Sequence, residues 1–270
     1  MKKIGAIFLV LGSVFLTLFF SCKKESLQDF GYQAAKDDAV SESIFADAFK
    51  QVDNAIRDTN VFYGLSNGCP TITQDTATFP KVITIDYGAG CADSLTGIVR
   101  SGKIIISLSK PWLEVGAVAV CSFENYIVDS YTISYFVKQT ITFKGRANNL
   151  LNFAVEVSDG EITSSEGVFY CYSSRIFELY LGESTAWPKM NDDVWRITGT
   201  AKGYDINGKE YFDEIIYPLI SQVGCHWIKK GTIEIKPEKG EIISLDFGSG
   251  TCDDSASATY NGNTYGFVIK

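Results

Sequence analysis

Residues 131–143 read YTISYFVKQTITF, and their side chains alternate in character with a period of two. Tyr131, Ile133, Tyr135, Val137, Ile141 and Phe143 fall on one side; Thr132, Ser134, Lys138, Thr140 and Thr142 fall mostly on the other. Successive side chains of a strand point to opposite faces, so the pattern predicts a strand with one buried and one wet face. Phe153, Val155 and Val157, Ile233 and Ile235, and Ile243, Leu245 and Phe247 repeat it. Ser101-Gly102, Asp159-Gly160, Asn207-Gly208 and Asn261-Gly262 read as turns between the runs, the two Asn-Gly pairs most strongly, because both positions accept positive φ. Short strands joined by hairpins argue against a βαβ fold. The expected fold is mainly β, an antiparallel β-meander forming a curled sheet or a sandwich.

The pattern is also duplicated. Residues 83–108, ITIDYGAGCADSLTGIVRSGKIIISL, and residues 243–270, ISLDFGSGTCDDSASATYNGNTYGFVIK, share one order. Each runs apolar-polar-apolar-Asp-aromatic-Gly-x-Gly, then Cys and Asp, then a glycine-containing turn and an apolar strand. Upstream, Gly68-Cys69-Pro70 matches Gly224-Cys225-His226. Six cysteines besides Cys22 allow 15 pairings, and the duplication selects Cys69 with Cys91 and Cys225 with Cys252. Cys121 and Cys171 are left as a third pair or as two buried thiols. The first unit is expected over about 68–158 and the second over about 194–270, both within a β region spanning 59–270.

One helix is expected over 36–58. Val40, Ile44, Phe45, Phe49, Val52 and Ile56 recur at helical spacing, and Asp37 and Asp38 suit a helix N-terminus. Such a stripe is expected to cover one end or face of the sheet, with residues 22–35 as a tether before it.

The N-terminus gives a cellular address. Lys2 and Lys3 precede an apolar run from Ile4 to Phe20, and Ser21 stands before Cys22. The segment resembles a lipoprotein signal peptide, although Phe19 and Phe20 depart from the usual aliphatic and small residues at those positions. The resemblance implies removal of residues 1–21 and acylation of Cys22, which joins the chain to a membrane through its lipid. Lys23 in place of Asp implies the outer membrane by the same resemblance. An even number of remaining cysteines fits an exported, disulfide-bearing chain.

Charge and motifs narrow the chemistry. A net charge of −8 and a pI near 4.8 oppose binding to a phosphate backbone, so nucleic acid is not an expected partner. Gly64-Leu65-Ser66-Asn67-Gly68 matches G-x-S-x-G with His226 downstream, but a nucleophile elbow needs a strand before Ser66 and a helix after it. A turn into strands is expected there instead. Asp246-Phe247-Gly248 has the letters of a kinase magnesium loop, yet the other kinase elements are missing from the chain. Asp86 and Asp93, with Asp246, Asp253 and Asp254, are weak calcium candidates. Ca²⁺ takes six to eight oxygens, whereas Gly88, Gly90, Gly248 and Gly250 stand where further ligands would be needed. These glycines are better explained as strand-end turns pinned by a cysteine. His226 has no second histidine beside it, so packing or exposure is expected rather than metal ligation. No cofactor and no catalytic residue are expected.

Taken with CSFENYIV at 121–128, VWRITGTAKGYDINGKEYF at 194–212 and YPLISQVGCHW at 217–227, the duplicated unit resembles a group of uncharacterised bacterial envelope lipoproteins. The resemblance spans about residues 60–270 and implies fold and address without an activity. The leading expectation is a non-enzymatic structural or binding module with an unidentified protein or glycan partner. A carbohydrate-binding surface lipoprotein, with tryptophans or tyrosines as a stacking platform, is the first alternative, and an envelope hydrolase using Ser66 the second.

Overall fold

The computed structural model describes residues 27–57, 69–75, 77–93, 96–183 and 192–269. The expected signal segment, Cys22, Ser66 and Trp187 lie outside these residues. Helix α1 (Leu27–Arg57) comes first. The strands then run β1 (Thr71–Gln74), β2 (Lys81–Asp86), β3 (Cys91–Ala92), β4 (Val99–Leu108), β5 (Val118–Val128), β6 (Tyr131–Ile133), β7 (Lys138–Ala147) and β8 (Leu150–Thr163). They continue as β9 (Val168–Leu181), β10 (Val194–Tyr204), β11 (Glu210–Gln222), β12 (Lys230–Pro237), β13 (Ile243–Ser249), β14 (Ser255–Tyr260) and β15 (Asn263–Val268).

All fifteen strands belong to one antiparallel meander, the mainly β fold that the alternation predicts. Two tracks are interrupted strands. β2 and β3 both pair with β4, and β6 and β7 both lie between β5 and β8. The duplicated units share this one sheet. β2 and β13 stand nine steps apart in the strand order, so the two copies run in opposite directions and carry their Gly-x-Gly turns to opposite ends. Disulfides join Cys69 to Cys91 and Cys225 to Cys252, while Cys121 and Cys171 are separate buried thiols. The five extra residues of the second bracket fall between its first cysteine and its strand: Cys69 precedes Thr71 by two, and Cys225 precedes Thr232 by seven.

Two expected turns are bulges inside long strands. At Ser101-Gly102 the β4–β5 register shifts, and at Asp159-Gly160 the β8–β9 register shifts. A Cβ added to Gly102 would stand 2.1 Å from the Asn125 carbonyl, and one on Gly160 the same distance from that of Cys171. Glycine is therefore needed for close strand approach, and such bulges bend a strand and raise its twist. Asn261-Gly262, with φ of 51° and 71°, is the two-residue hairpin expected, whereas Asn207-Gly208 lies in a five-residue loop between Tyr204 and Glu210, with positive φ at Gly208 only. Asp129-Ser130 and Asn148-Asn149 make similar positive-φ turns without glycine, which is why the sequence signal was weak there.

The helix corrects the expected arrangement in two ways. It starts at Leu27, so residues 27–35 are helical rather than tether, and Asp37 and Asp38 sit about ten residues inside it instead of at its N-terminus. Ala34 and Ala35 are fully buried and Gly31 packs on the Tyr260 ring, contacts that favour continuing the helix in this direction. Nor does α1 cover a face of the sheet. No residue from Gly31 to Arg57 is exposed, and Arg100 of β4, Gln139 of β7, Arg175 of β9 and Trp112 before β5 all bond to it. The sheet is curled around the helix, and the core lies between them.

Candidate functional site

The interior around α1 holds the densest chemistry in the described residues. A helix enclosed on every side must bury its polar side chains as well as its apolar ones, and buried charges need partners. Phe49 supplies the apolar centre, packing against Phe153, Phe177 and Trp195. Above and below it lie ionic clusters.

Nearest the helix N-terminus, Arg175 donates to Glu42 through Nη2 at 2.7 Å and Nε at 3.1 Å, and to Asp213 through Nη2 at 2.6 Å. Asp38 lies beside them, fully buried. Burial, then the Asp213 and Glu42 charges, push its carboxyl well above the usual range. Neither Asp38 oxygen has a hydrogen-bond partner, so nothing offsets its burial among these acids except the charge of Arg175. Burial likewise pushes the Glu42 carboxyl up, against the pull of Arg175. The Cys171 thiol and the Tyr211 phenol close this cluster, both raised by burial.

One further turn along, Arg100 holds Asp47 bidentately, with Nη2 at 2.8 Å from each oxygen and Nε at 3.0 Å. Burial alone would raise the Asp47 carboxyl, but Arg100, with His226 and Lys50, holds it far below the usual range. His226 Nδ1 stands 3.4 Å from Asp47, and the imidazole packs edge-on to Trp227. Lys50 donates to the carbonyls of Gln222 and Cys225, and burial depresses its ammonium to about 8. At the far end, Asp53 accepts from Trp112 and from Arg57, which also reaches Asp193.

These pairs determine where the helix sits. A slip of one residue rotates each side chain by about 100° and translates it by about 1.5 Å, which breaks the Glu42, Asp47 and Asp53 pairs together. Glu42, Asp47, Arg100, Arg175 and Asp213 are each at most 6% exposed, so these charges are closed off from solvent.

Of the carboxylates singled out from sequence, Asp93 joins the Arg100 cluster, and the others lie at the strand-end turns, apart from one another. Asp86 accepts from the Gly88 amide and Asp246 from the Gly248 amide, each at 2.8 Å, the same turn-closing bond in both copies. Asp246 also accepts from Thr232. Asp93 faces Arg100 at 3.3 Å, and Asp253 accepts from the Ser255 amide. The Asp254 carbonyl accepts from the Ile269 amide. Among the described residues, no three His, Cys, Asp or Glu side chains form a metal-holding group.

Interior ions were missed from sequence because Asp38, Glu42, Asp47 and Asp53 look like the wet face of an amphipathic helix. The available signal was Arg100 and Arg175, each placed at an inward position of an alternating strand. Trp112, Trp195 and Trp227 are buried, whereas Tyr172 and Phe212 project outward on either side of Lys202 in adjacent register. A cleft of about 270 Å³ opens where α1 begins to be enclosed, lined by Lys36, Asp37, Asp129, Tyr131, Glu166 and Phe169. Lys36 pairs with Glu166 at 2.9 Å across it, and Asp37 accepts from the Ile206 amide at 3.0 Å.

The architecture is that of a meander wrapped on a central helix. No protein-family model matches the chain, no curated protein matches it, and no solved structure matches it.

Proposed function

We propose that the chain is an envelope lipoprotein, held at the outer membrane by acyl chains on Cys22, whose folded part is a non-enzymatic structural or binding module. The observation that carries the reading is the order of the N-terminal residues: Lys2-Lys3, seventeen apolar or small residues, then Ser21-Cys22, with a helix starting five residues later. More than one acyl chain makes an anchor stable where a single chain is marginal. The two disulfides support an oxidising compartment. The module part is supported by the interior, where titratable groups are spent on holding the helix. Feeding cells an alkyne-tagged palmitate should label the chain, and Cys22→Ala should abolish labelling. An unacylated N-terminus upstream of Cys22 in the mass spectrum would refute the proposal.

Tyr172, Lys202, Phe212 and Lys236 form an outward row across β9 to β12, which favours a glycan partner as the second reading. Rings on such a row stack on sugar faces while lysines bond hydroxyls. Loss of polysaccharide retention on affinity gels in Tyr172→Ala with Phe212→Ala supports that reading, and no retention by the unaltered chain ends it.

A further inference from the structure

The enclosed helix has two unlike ends, and the chain between Cys22 and Leu27 is short. At the upper end, Gly31 packs on Tyr260, Tyr32 meets Phe267, Lys36 pairs with Glu166, and Asp37 accepts from Ile206. The turns at 129–130, 164–167, 205–209 and 261–262 belong to this end. At the lower end, Asp53 meets Trp112 and Arg57 meets Asp193, and the loops at 109–117 and 223–229 lie there.

We propose that the upper end is the surface that rests on the lipid headgroups, so that the module stands on the membrane with α1 along its axis and its lower end outward. This rests on acylation of Cys22. Five peptide steps separate Cys22 from Leu27, a reach of at most about 18 Å at roughly 3.6 Å per residue. The 31 residues of α1 rise about 45 Å at roughly 1.5 Å each. The tether is therefore less than half as long as the helix it would have to run back along, so the acyl chains hold the upper end next to the bilayer. The charges of the surface suit headgroups rather than the acyl region: Lys36, Asp129, Glu166 and Lys209 surround its turns, and Lys23 and Lys24 of the tether attract anionic lipid. Exposed apolar side chains occur at both ends, Leu113 and Val115 at the lower and Val168 and Ile242 at the upper.

The test uses the full chain, exported and processed by cells, purified and returned to vesicles of phosphatidylethanolamine and phosphatidylglycerol. One variant carries Ser165→Cys at the upper end, the other Glu114→Cys at the lower, both positions being exposed. Each is coupled to a fluorophore, and quenching by headgroup-nitroxide lipid is measured after mass spectrometry has confirmed the acyl groups. Several-fold stronger quenching at 165 than at 114 is the expected result. Equal or reversed quenching in an acylated sample overturns the orientation and leaves the anchor standing. A sample without acyl groups overturns the anchor itself.

Discussion

Asp37 offers a direct measure of what enclosure does to the helix. Its carboxyl sits beside the cleft, almost wholly buried, with Gln33 and the Ile206 amide as donors, Lys36 adjacent and Asp205 facing it. Burial outweighs the donors, and the pKa rises from 3.8 to about 7. A carboxyl with a raised folded pKa binds its proton more tightly in the native state. The stability it contributes is complete below the unfolded value of 3.8 and is lost as pH climbs through 7. Between pH 5 and pH 8, that linkage amounts to about 2.5 kcal/mol. Asp37→Asn keeps an acceptor for Ile206 and lets Gln33 turn its amide, so the fold is retained and this share of the pH dependence disappears. Urea unfolding at several pH values with disulfides intact reads the effect. The wild type should lose stability from pH 5 to 8, and the variant should lose about 2.5 kcal/mol less. Asp193, also raised to about 7 by burial, contributes in the same direction and stays in both proteins. A variant with the unaltered pH slope, or a wild type that gains stability over this interval, would refute the reasoning.

Other expectations concern the interior and the cysteines. Arg175→Met leaves Glu42 and Asp213 buried beside each other without their cation, and unfolding in urea should show a loss of about 3–5 kcal/mol. Arg146→Ala, which removes an exposed pair with Glu183, should leave the urea midpoint unchanged. Replacing Cys225 and Cys252 together by serine opens a bracket of 27 residues and should cost about 3.5 kcal/mol by chain entropy, read as a lower melting temperature in calorimetry. Cys121 and Cys171, whose thiols burial pushes up, should resist a thiol reagent in the native chain. After denaturation without reductant, two thiols should react if Cys22 is acylated and three if it is free.

The duplicated unit was legible because its signals are local. Asp86 and Asp246 close their turns within two residues, and the cysteines that bracket each unit are close in the chain. Asp159-Gly160 was legible only in part. The same letters serve a hairpin and a bulge, and the choice depends on whether Cys171 of the neighbouring strand crowds the glycine. Helix spacing in Val40, Ile44, Phe49 and Val52 identified α1, but the boundary near Leu27 depends on Tyr260 and Phe267, more than two hundred residues away.

The sequence by itself determined the β alternation, the presence of one helix and the repeated strand-turn-cysteine unit, since each is written in neighbouring residues and in fixed backbone periods. Only the tertiary structure decided that the sheet encloses the helix, because closure is a property of how thirteen strand tracks bend together and not of any one strand. That closure turned Glu42, Asp47 and Asp53 from solvated side chains into partners of Arg175, Arg100, Arg57 and Trp112. A carboxylate has the same letter on a wet helix face and in a sealed interior, and what differs is the dielectric around it and the cation that the fold brings within reach.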